Sequence, residues 1–228
     1  MSATEVPARL FVAVAVDCRF GATYAVRQAS CAIGRGQHIA VTGPSGSGKS
    51  TLLHVVSGLH RPTAGAVAWP DLGGDPRTRL ALIATIFQAP SLLEPLDVAE
   101  NVELPLLLAG ARLDAAREAA LSALDAVGLV GLAARMPHAL SGGQAQRIAV
   151  ARALAMRPRL ILADEPTGQL DHDTAAQVMT TLIRAAERTG AALVVATHDE
   201  SLSAGFARRW RMLDGHLDTR GTASEVER

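Results

Sequence analysis

A glycine-rich stretch at residues 43–51 constrains the fold of this chain more than any other feature. It reads Gly-Pro-Ser-Gly-Ser-Gly-Lys-Ser-Thr and fits the pattern G-x-x-x-x-G-K-[ST]. The apolar residues 38–42 before it predict a short buried strand, and residues 52–56 after it predict the start of a helix. A strand, a glycine turn and a helix in this order are typical of a loop that wraps a phosphate chain.

The residue types in this stretch suit phosphate binding. Glycines let the backbone curl so that several N–H groups point inward, and the N-terminus of the following helix adds partial positive charge. Lys49 would reach the β- and γ-phosphates of a nucleotide, and the Ser50 hydroxyl would coordinate Mg²⁺. A glycine-serine loop that contains a lysine by chance is the less favoured interpretation. The predicted nucleotide-binding residues are Gly43, Pro44, Ser45, Gly46, Ser47, Gly48, Lys49, Ser50 and Thr51.

Composition limits the class of protein. Acidic and basic side chains balance at 22 each, so we expect no nucleic-acid partner. Cys18 and Cys31 lack metal-binding spacing, which suits a reducing cytosol and disfavours a disulfide framework. The first residues do not resemble a signal peptide, and no apolar run is long enough to span a bilayer. We therefore expect no direct membrane insertion, and any membrane role would come through a partner.

Apolar strands alternate with helical segments along the chain, which predicts an α/β fold with a mainly parallel sheet. Between residues 90 and 157 the pattern is helical. There Asp97, Asp114 and Ser141 are the predicted N-caps, and Pro105 interrupts the first helix. The predicted strands cover residues 10–16, 24–33, 38–42, 64–69, 82–87, 159–163 and 191–197, and the predicted helices cover 98–108, 115–127, 142–156 and 173–189.

Two carboxylates, Asp164 and Glu165, follow a strongly apolar predicted strand. Ligands of open α/β sheets bind at the carboxyl ends of the strands. Asp164 fits Mg²⁺ coordination, and Glu165 fits a general base that polarises water. Two acids at a strand end are common, so this interpretation depends on the phosphate-binding loop.

The segment Leu140-Ser141-Gly142-Gly143-Gln144 lies between that loop and the acidic strand, and with them the chain resembles the ABC ATPases over roughly residues 10–217. The resemblance implies a P-loop NTPase of the ABC ATPase type. Its mainly parallel core would carry an N-terminal antiparallel β-subdomain and an inserted α-helical subdomain. It implies that two copies pack head to tail around ATP. The signature residues Ser141, Gly142, Gly143 and Gln144 would then act in trans.

Further residues acquire roles from this resemblance. Gln88 matches the glutamine that touches Mg²⁺ and the attacking water and senses the transmembrane partner. Asp171 matches the aspartate at the dimer interface, and His198 matches the histidine that contacts the γ-phosphate. Phe20 matches the aromatic that stacks on adenine, with Tyr24 as the alternative. The implied catalytic residues are Glu165, His198 and Gln88, and the implied Mg²⁺ site is Ser50, Gln88 and Asp164.

Three parts of the chain are expected. Residues 1–89 would contain the β-subdomain and the first part of the ATPase core, and residues 90–157 would form the helical signature subdomain. Residues 158–228 would form the second part of the core and a polar tail. Residues 62–87 form a shorter span than is usual in the family. Gln37 and Gln169 also depart from the common residue types at their positions.

The segments 100–110 and 164–171 resemble the branch of ABC ATPases that serves lipoprotein release, macrolide efflux, antimicrobial-peptide resistance and cell division. We therefore expect an ATP- and Mg²⁺-dependent subunit of a bacterial ABC transporter. It would form a homodimer on the cytoplasmic side of the cell membrane and drive export or mechanotransmission through an integral permease. An ATPase for a small-solute, amino-acid-type importer is the alternative. A signalling ATPase that controls cell-wall hydrolases and a soluble ABC protein of translation or DNA repair are further alternatives.

Overall fold

The computed structural model describes residues 9–73 and 82–220 of the chain. The strands within these ranges are β1 (Arg9–Phe20), β2 (Thr23–Gly34), β3 (His38–Thr42), β4 (Ala64–Ala68), β5 (Ile83–Ile86), β6 (Leu160–Asp164), β7 (Ala192–Thr197), β8 (Arg208–Leu213) and β9 (His216–Asp218). The helices are α1 (Lys49–Ser57), α2 (Val98–Leu108), α3 (Leu113–Ala126), α4 (Gly142–Ala155), α5 (His172–Thr189) and α6 (Glu200–Ser203). Short 3-10 helices include Pro70–Leu72, Val130–Leu132 and Pro137–Ala139.

The strands form one sheet in the order β4-β1-β2-β9-β8-β3-β7-β6-β5. Its core is parallel, since β8 pairs with β3, β3 with β7, β7 with β6 and β6 with β5 in that sense. The pairs β1–β2, β1–β4 and β8–β9 are antiparallel. This arrangement confirms the predicted α/β fold with a mainly parallel core and an antiparallel N-terminal part.

The central parallel strands β3, β6 and β7 are buried on both faces, as their continuous apolar sequences predict. In β6, Leu160 and Leu162 belong to a core shared with β1, β2 and α1, whereas Ile161 and Ala163 belong to a second core shared with α2 to α5. Successive side chains of a strand point to opposite faces, so the sheet separates two hydrophobic layers. The carboxyl ends of β3, β6 and β7 meet at one edge because these strands are adjacent and parallel.

Capping boxes begin two helices of the segment between β5 and β6. Asp97 accepts from the backbone N–H of Glu100, whose side chain accepts in return from the N–H of Asp97, at the start of α2. Ser141 and Gln144 form the same reciprocal pair at the start of α4. Each box satisfies backbone donors that a helix start leaves without partners. Both predicted N-caps are confirmed.

Two predictions for this segment are wrong. Asp114 is not the N-cap of α3, because the helix begins at Leu113. Asp114 lies in the first turn, where its carboxylate accepts from Ala115 N–H at 3.0 Å and pairs with Arg112. The predicted interruption of α2 at Pro105 is also absent, since α2 continues to Leu108. Proline removes one hydrogen bond there, and burial of the apolar first turns holds the helix together.

β8 and β9 form an antiparallel hairpin that turns at residues 214–215. Residues 221–228 of the predicted polar tail and residues 74–81 of the short span lie outside the described residues. The domain boundaries after residues 89 and 157 stay predictions. Within the described ranges, no helix is both long and apolar enough to cross a membrane.

Candidate nucleotide-binding and hydrolysis site

The loop after β3 leads directly into α1 and lies close to two other strands. Gly43 and Gly48 have φ values of 150° and 104°, which other residues rarely adopt. A Cβ atom at Gly43 would lie 2.1 Å from Met212 O in β8. A Cβ atom at Gly48 would lie 1.9 Å from Ala25 O in β2. The loop therefore needs glycine at both positions, because neighbouring backbone leaves no room for a side chain.

Lys49 reaches back across this loop with only 5% of its side chain exposed. Its Nζ donates to Gly43 O at 2.8 Å and to Pro44 O at 3.1 Å, and it lies 3.3 Å from Glu165 Oε1. Lys49 is the only lysine in the sequence, and every other basic side chain apart from the histidines is an arginine. The compact ammonium on its flexible stem reaches both loop carbonyls and the carboxylate at once.

Two oxygen ligands meet beside Lys49. Ser50 Oγ, in the first turn of α1, donates to Asp164 Oδ1 at the end of β6 across 3.0 Å. Hydroxyl and carboxylate oxygens are the ligands that Mg²⁺ prefers. Nearby, Ser47 Oγ is buried and has no hydrogen-bond partner among the described residues. A hydroxyl left in this state costs free energy unless a ligand completes its hydrogen bonding. The donor set therefore fits a phosphate chain with its magnesium ion.

Glu165 lies in a turn with positive φ, 47°, immediately after β6. Left-handed backbone at a residue other than glycine costs about 1–3 kcal/mol and is often found at active sites. Its N–H donates to Ala196 O at 2.9 Å, which ties the turn to β7. Oε2 lies 2.8 Å from His198 Nδ1 and accepts from His198 N–H at 3.4 Å. The carboxylate is therefore held between the Lys49 ammonium and the His198 ring.

Gln88 comes two residues after β5 and lies beside this turn. Its Nε2 is 3.0 Å from the position that a Cβ would take on Gly168, and Gly168 N–H donates to Glu165 O at 3.1 Å. The structure thus brings Gln88 to the turn that carries Glu165. Among the other predicted catalytic and metal residues, Ser50 contacts Asp164 directly and Glu165 contacts His198. Glu165 also contacts Lys49 of the predicted nucleotide-binding loop.

The segment after β5 is held by two residues of α4 that no motif marks. Gln146 Nε2 donates to Phe87 O at 3.2 Å. Arg152 donates to Ser91 O at 2.9 Å and to Pro90 O at 2.8 Å. Burial lowers the pKa of the Arg152 guanidinium from its ordinary value. The sequence signal for both is a polar side chain on a helix whose neighbours are buried and apolar.

The signature residues lie apart from this cluster, at the N-terminus of α4. Ser141 and Gln144 hydrogen-bond each other in the capping box. Gly143 packs against α5, where a Cβ would come within 2.3 Å of Thr174 Cγ2. In residues 9–73 and 82–220, no hydrogen bond or ion pair joins the signature to the loop after β3. One copy of the chain therefore keeps the two elements separate.

Asp171 caps α5 and is exposed. Its Oδ1 accepts from Thr174 N–H at 3.0 Å. Hydrogen bonds from Thr174 hold the pKa of the Asp171 carboxyl below its ordinary value. The carboxylate therefore stays ionised at the surface, close to the signature helix that Thr174 also contacts.

Phe20 ends β1 and is 54% exposed. One face of its ring stacks on His60, with ring centroids 5.0 Å apart and planes 30° apart. The alternative aromatic, Tyr24, has the guanidinium carbons of Arg19 and Arg27 at 5.5 and 5.2 Å from its ring centroid.

This site and fold agree with what known proteins show. Residues 26–168 match the profile of the family described as ABC transporter. The lipoprotein-releasing system ATP-binding protein LolD of Legionella pneumophila (strain Paris) is 41% identical over 196 residues, which cover 83% of this chain and 86% of that protein. LolD of Geobacter metallireducens is 42% identical over 198 residues, which cover 81% of this chain and 85% of that protein.

Solved structures of ATP-binding cassettes are also similar to this chain over most of its length. A dimeric ATP-binding cassette in a post-hydrolysis state, bound to ADP and Pi, is 33% identical with a TM-score of 0.82, and the alignment covers 93% of this chain and 98% of that one. A part of the cbiONQ ABC transporter complex of Clostridium perfringens is 25% identical with a TM-score of 0.87, covering 96% and 90%. The chain belongs to the ABC transporter family, and within it to the ATP-binding subunits that hydrolyse ATP.

The backbone contact at Gly48 predicts a large effect of Gly48→Ala. Gly46 is the matched control, since its φ of 78° is also positive but nothing lies within 4 Å of an added Cβ. We expect Gly46→Ala to lower the free energy of unfolding by about 1–2 kcal/mol, the cost of left-handed backbone alone. Gly48→Ala should cost at least about 2 kcal/mol more, because Ala25 must move. Equal losses in denaturant titrations would contradict the close approach.

Proposed function

We propose that the chain is the ATP-hydrolysing subunit of a bacterial ABC complex for lipoprotein release. In this proposal, ATP binding closes a dimer of two copies and hydrolysis reopens it. The proposal rests on one observation, the cluster at the carboxyl edge of the sheet in which Ser50 contacts Asp164 and Glu165 contacts both Lys49 and His198. The relatives named as lipoprotein-releasing ATP-binding proteins support the choice of transport process.

Phosphate binding would rearrange the charges in this cluster. The N–H groups of the loop and the start of α1 receive the phosphate chain. The Lys49 ammonium, paired with Glu165 at 3.3 Å, exchanges that carboxylate for β- and γ-phosphate oxygens. Glu165 Oε1 is then free to accept a hydrogen bond from water, while His198 keeps its contact with Oε2.

Hydrolysis then follows the chemistry of phosphoryl transfer. Glu165 accepts a proton from the water whose oxygen attacks the γ-phosphorus, and the bond from that phosphorus to the β–γ bridging oxygen breaks, which leaves ADP and phosphate. His198 and Gln88 position the water. Ser50, Asp164 and Gln88 would hold Mg²⁺, which supplies positive charge against the phosphate oxygens.

The signature completes the site from a second copy. Ser141, Gly142, Gly143 and Gln144 would contact the ATP of the partner, and Asp171 would cross the interface. The dimeric cassette with ADP and Pi supports this arrangement. Phe20 would stack on adenine, because its ring has an open face whereas Tyr24 is flanked by two guanidinium groups.

Lys49→Ala should remove detectable ATP binding, because this ammonium is the cation nearest the phosphates. The single lysine permits a direct measurement in the unmutated protein. Protein grown with ¹³C-labelled lysine gives one lysine signal, which should shift on addition of ATP and not of adenosine. Calorimetry with the variant gives the affinity. Unchanged affinity in Lys49→Ala, or a lysine signal unmoved by saturating ATP, would contradict the loop assignment.

Glu165→Gln should bind ATP but hydrolyse it about 10²–10⁴-fold more slowly, since an amide keeps the shape and loses the proton acceptor. The variant should accumulate as an ATP-bound dimer, measured by size-exclusion chromatography with light scattering. Glu118→Gln, exposed on α3, is the matched control and should behave as the unmutated protein. Unmutated turnover in Glu165→Gln would remove its role as base.

The membrane partner distinguishes the transport processes. We propose that the chain binds the cytoplasmic face of a permease with four spans and a large extracytoplasmic segment, the type of permease that transmits force to lipoproteins. Purification of the tagged chain from membranes of its native host, followed by mass spectrometry, identifies the partner. A permease that works with a solute-binding protein would instead support the importer alternative.

A further inference from the structure

The ring of His60 stacks on one face of Phe20, outside the cluster around Lys49 and Glu165. The centroids lie 5.0 Å apart at an interplanar angle of 30°, which is a stacked arrangement. Phe20 still exposes 54% of its surface, so the opposite face of its ring is open. Stacked aromatic rings hold each other in one orientation, and an exposed ring at a strand end needs such support.

Backbone hydrogen bonds place His60 firmly beside the end of β1. His60 N–H donates to His54 O at 3.0 Å, which joins it to the C-terminus of α1. Three residues later, Thr63 N–H donates to Asp17 O at 2.7 Å and Thr63 Oγ1 accepts from Arg19 N–H at 2.9 Å. The segment is thereby tied to the same strand that carries Phe20.

The stacked pair lies on the same part of the molecule as the phosphate-binding loop. Phe20 pairs with Thr23 across the β1–β2 turn. Two residues further along β2, the Ala25 carbonyl lies so close to Gly48 of the loop that no Cβ atom would fit between them. The loop opens α1, and His60 follows the end of the same helix. The rings and the loop are therefore linked through both β2 and α1.

We propose that His60 is a positioning residue for nucleotide binding, whose ring supports Phe20 so that the open face of Phe20 receives the base. This inference rests on the proposed ATP-binding function. It assigns to His60 an effect on the base and none on the phosphates. Because His60 acts through Phe20, its contribution should vanish when the Phe20 ring is removed.

The test is a double-mutant cycle measured by calorimetry with two ligands, ATP and inorganic tripolyphosphate, which has no base. We expect Phe20→Ala to weaken ATP binding roughly 5- to 100-fold, as for loss of a base-stacking ring. His60→Ala should weaken it about 2- to 10-fold, as for loss of one aromatic pair. In the Phe20→Ala background, His60→Ala should have no further effect, and neither variant should change tripolyphosphate binding.

Two further variants separate positioning from folding. His60→Phe retains a flat ring and should restore ATP affinity. The matched control is His38→Ala, which should leave ATP affinity unchanged. His38 is a half-buried histidine at the start of β3, at the end away from the phosphate-binding loop. The inference is overturned if His60→Ala binds ATP as the unmutated protein does, if it weakens ATP and tripolyphosphate equally, or if its effect persists without Phe20. Failure of the unmutated protein to bind either ligand would instead refute the proposed function.

Discussion

The ion pair between Lys49 and Glu165 is the interaction on which the rest of the site depends. Both side chains are largely withdrawn from water, with 5% and 15% exposed. Such a pair is stable only when further hydrogen bonds compensate the lost hydration. Here two loop carbonyls accept from the ammonium, and His198 meets the carboxylate through its ring and its backbone. Because a phosphate chain would offer Lys49 a more highly charged partner, the proposed nucleotide binding would exchange this ion pair for phosphate oxygens. In that proposal, the Glu165 carboxylate would become available to water only when phosphate is bound.

Helix α4 links this chemistry to distant parts of the molecule. Its Arg152 and Gln146 hold the segment that carries Gln88 through backbone carbonyls, so the position of that segment follows the helix. At the other end, Gly143 lets α4 approach Thr174 of α5. A shift of α4 would therefore act on both the segment beside Glu165 and the contact with α5. Packed helices and hydrogen-bonded carbonyls transmit such shifts because protein interiors are close-packed.

Much of this architecture could be predicted from the sequence, because its local signals are strong. Continuous apolar strands predicted a sheet buried on both faces, and serine and aspartate before apolar helices predicted two of the caps. The prediction of Asp114 as an N-cap was wrong because the preference for aspartate at that position is worth only about 1 kcal/mol. The carboxylate instead accepts a hydrogen bond within the first turn of α3. The predicted interruption of α2 at Pro105 was wrong because burial of the preceding helical turns outweighs the one hydrogen bond that proline removes. Sequence motifs marked the residues of the predicted nucleotide-binding and hydrolysis site. Arg152 and Gln146 act through hydrogen bonds to residues more than 40 positions away, and His60 acts through a stacked ring. No local sequence pattern encodes such contacts.

The hydrogen bonding of the signature gives a physical reason for a second copy. The capping box satisfies the N–H groups of Ser141 and Gln144, and Ala145 N–H donates to Ser141 O. The N–H groups of Gly142 and Gly143 have no acceptor among the described residues. They lie at the positive end of a 14-residue helix. Free donors at such an end favour an anion, and the phosphate loop of the same chain makes no hydrogen bond with them. In the proposed dimer, an ATP that meets both elements would lie between two chains. Each copy would then hold half of two sites, and nucleotide binding would control dimer closure.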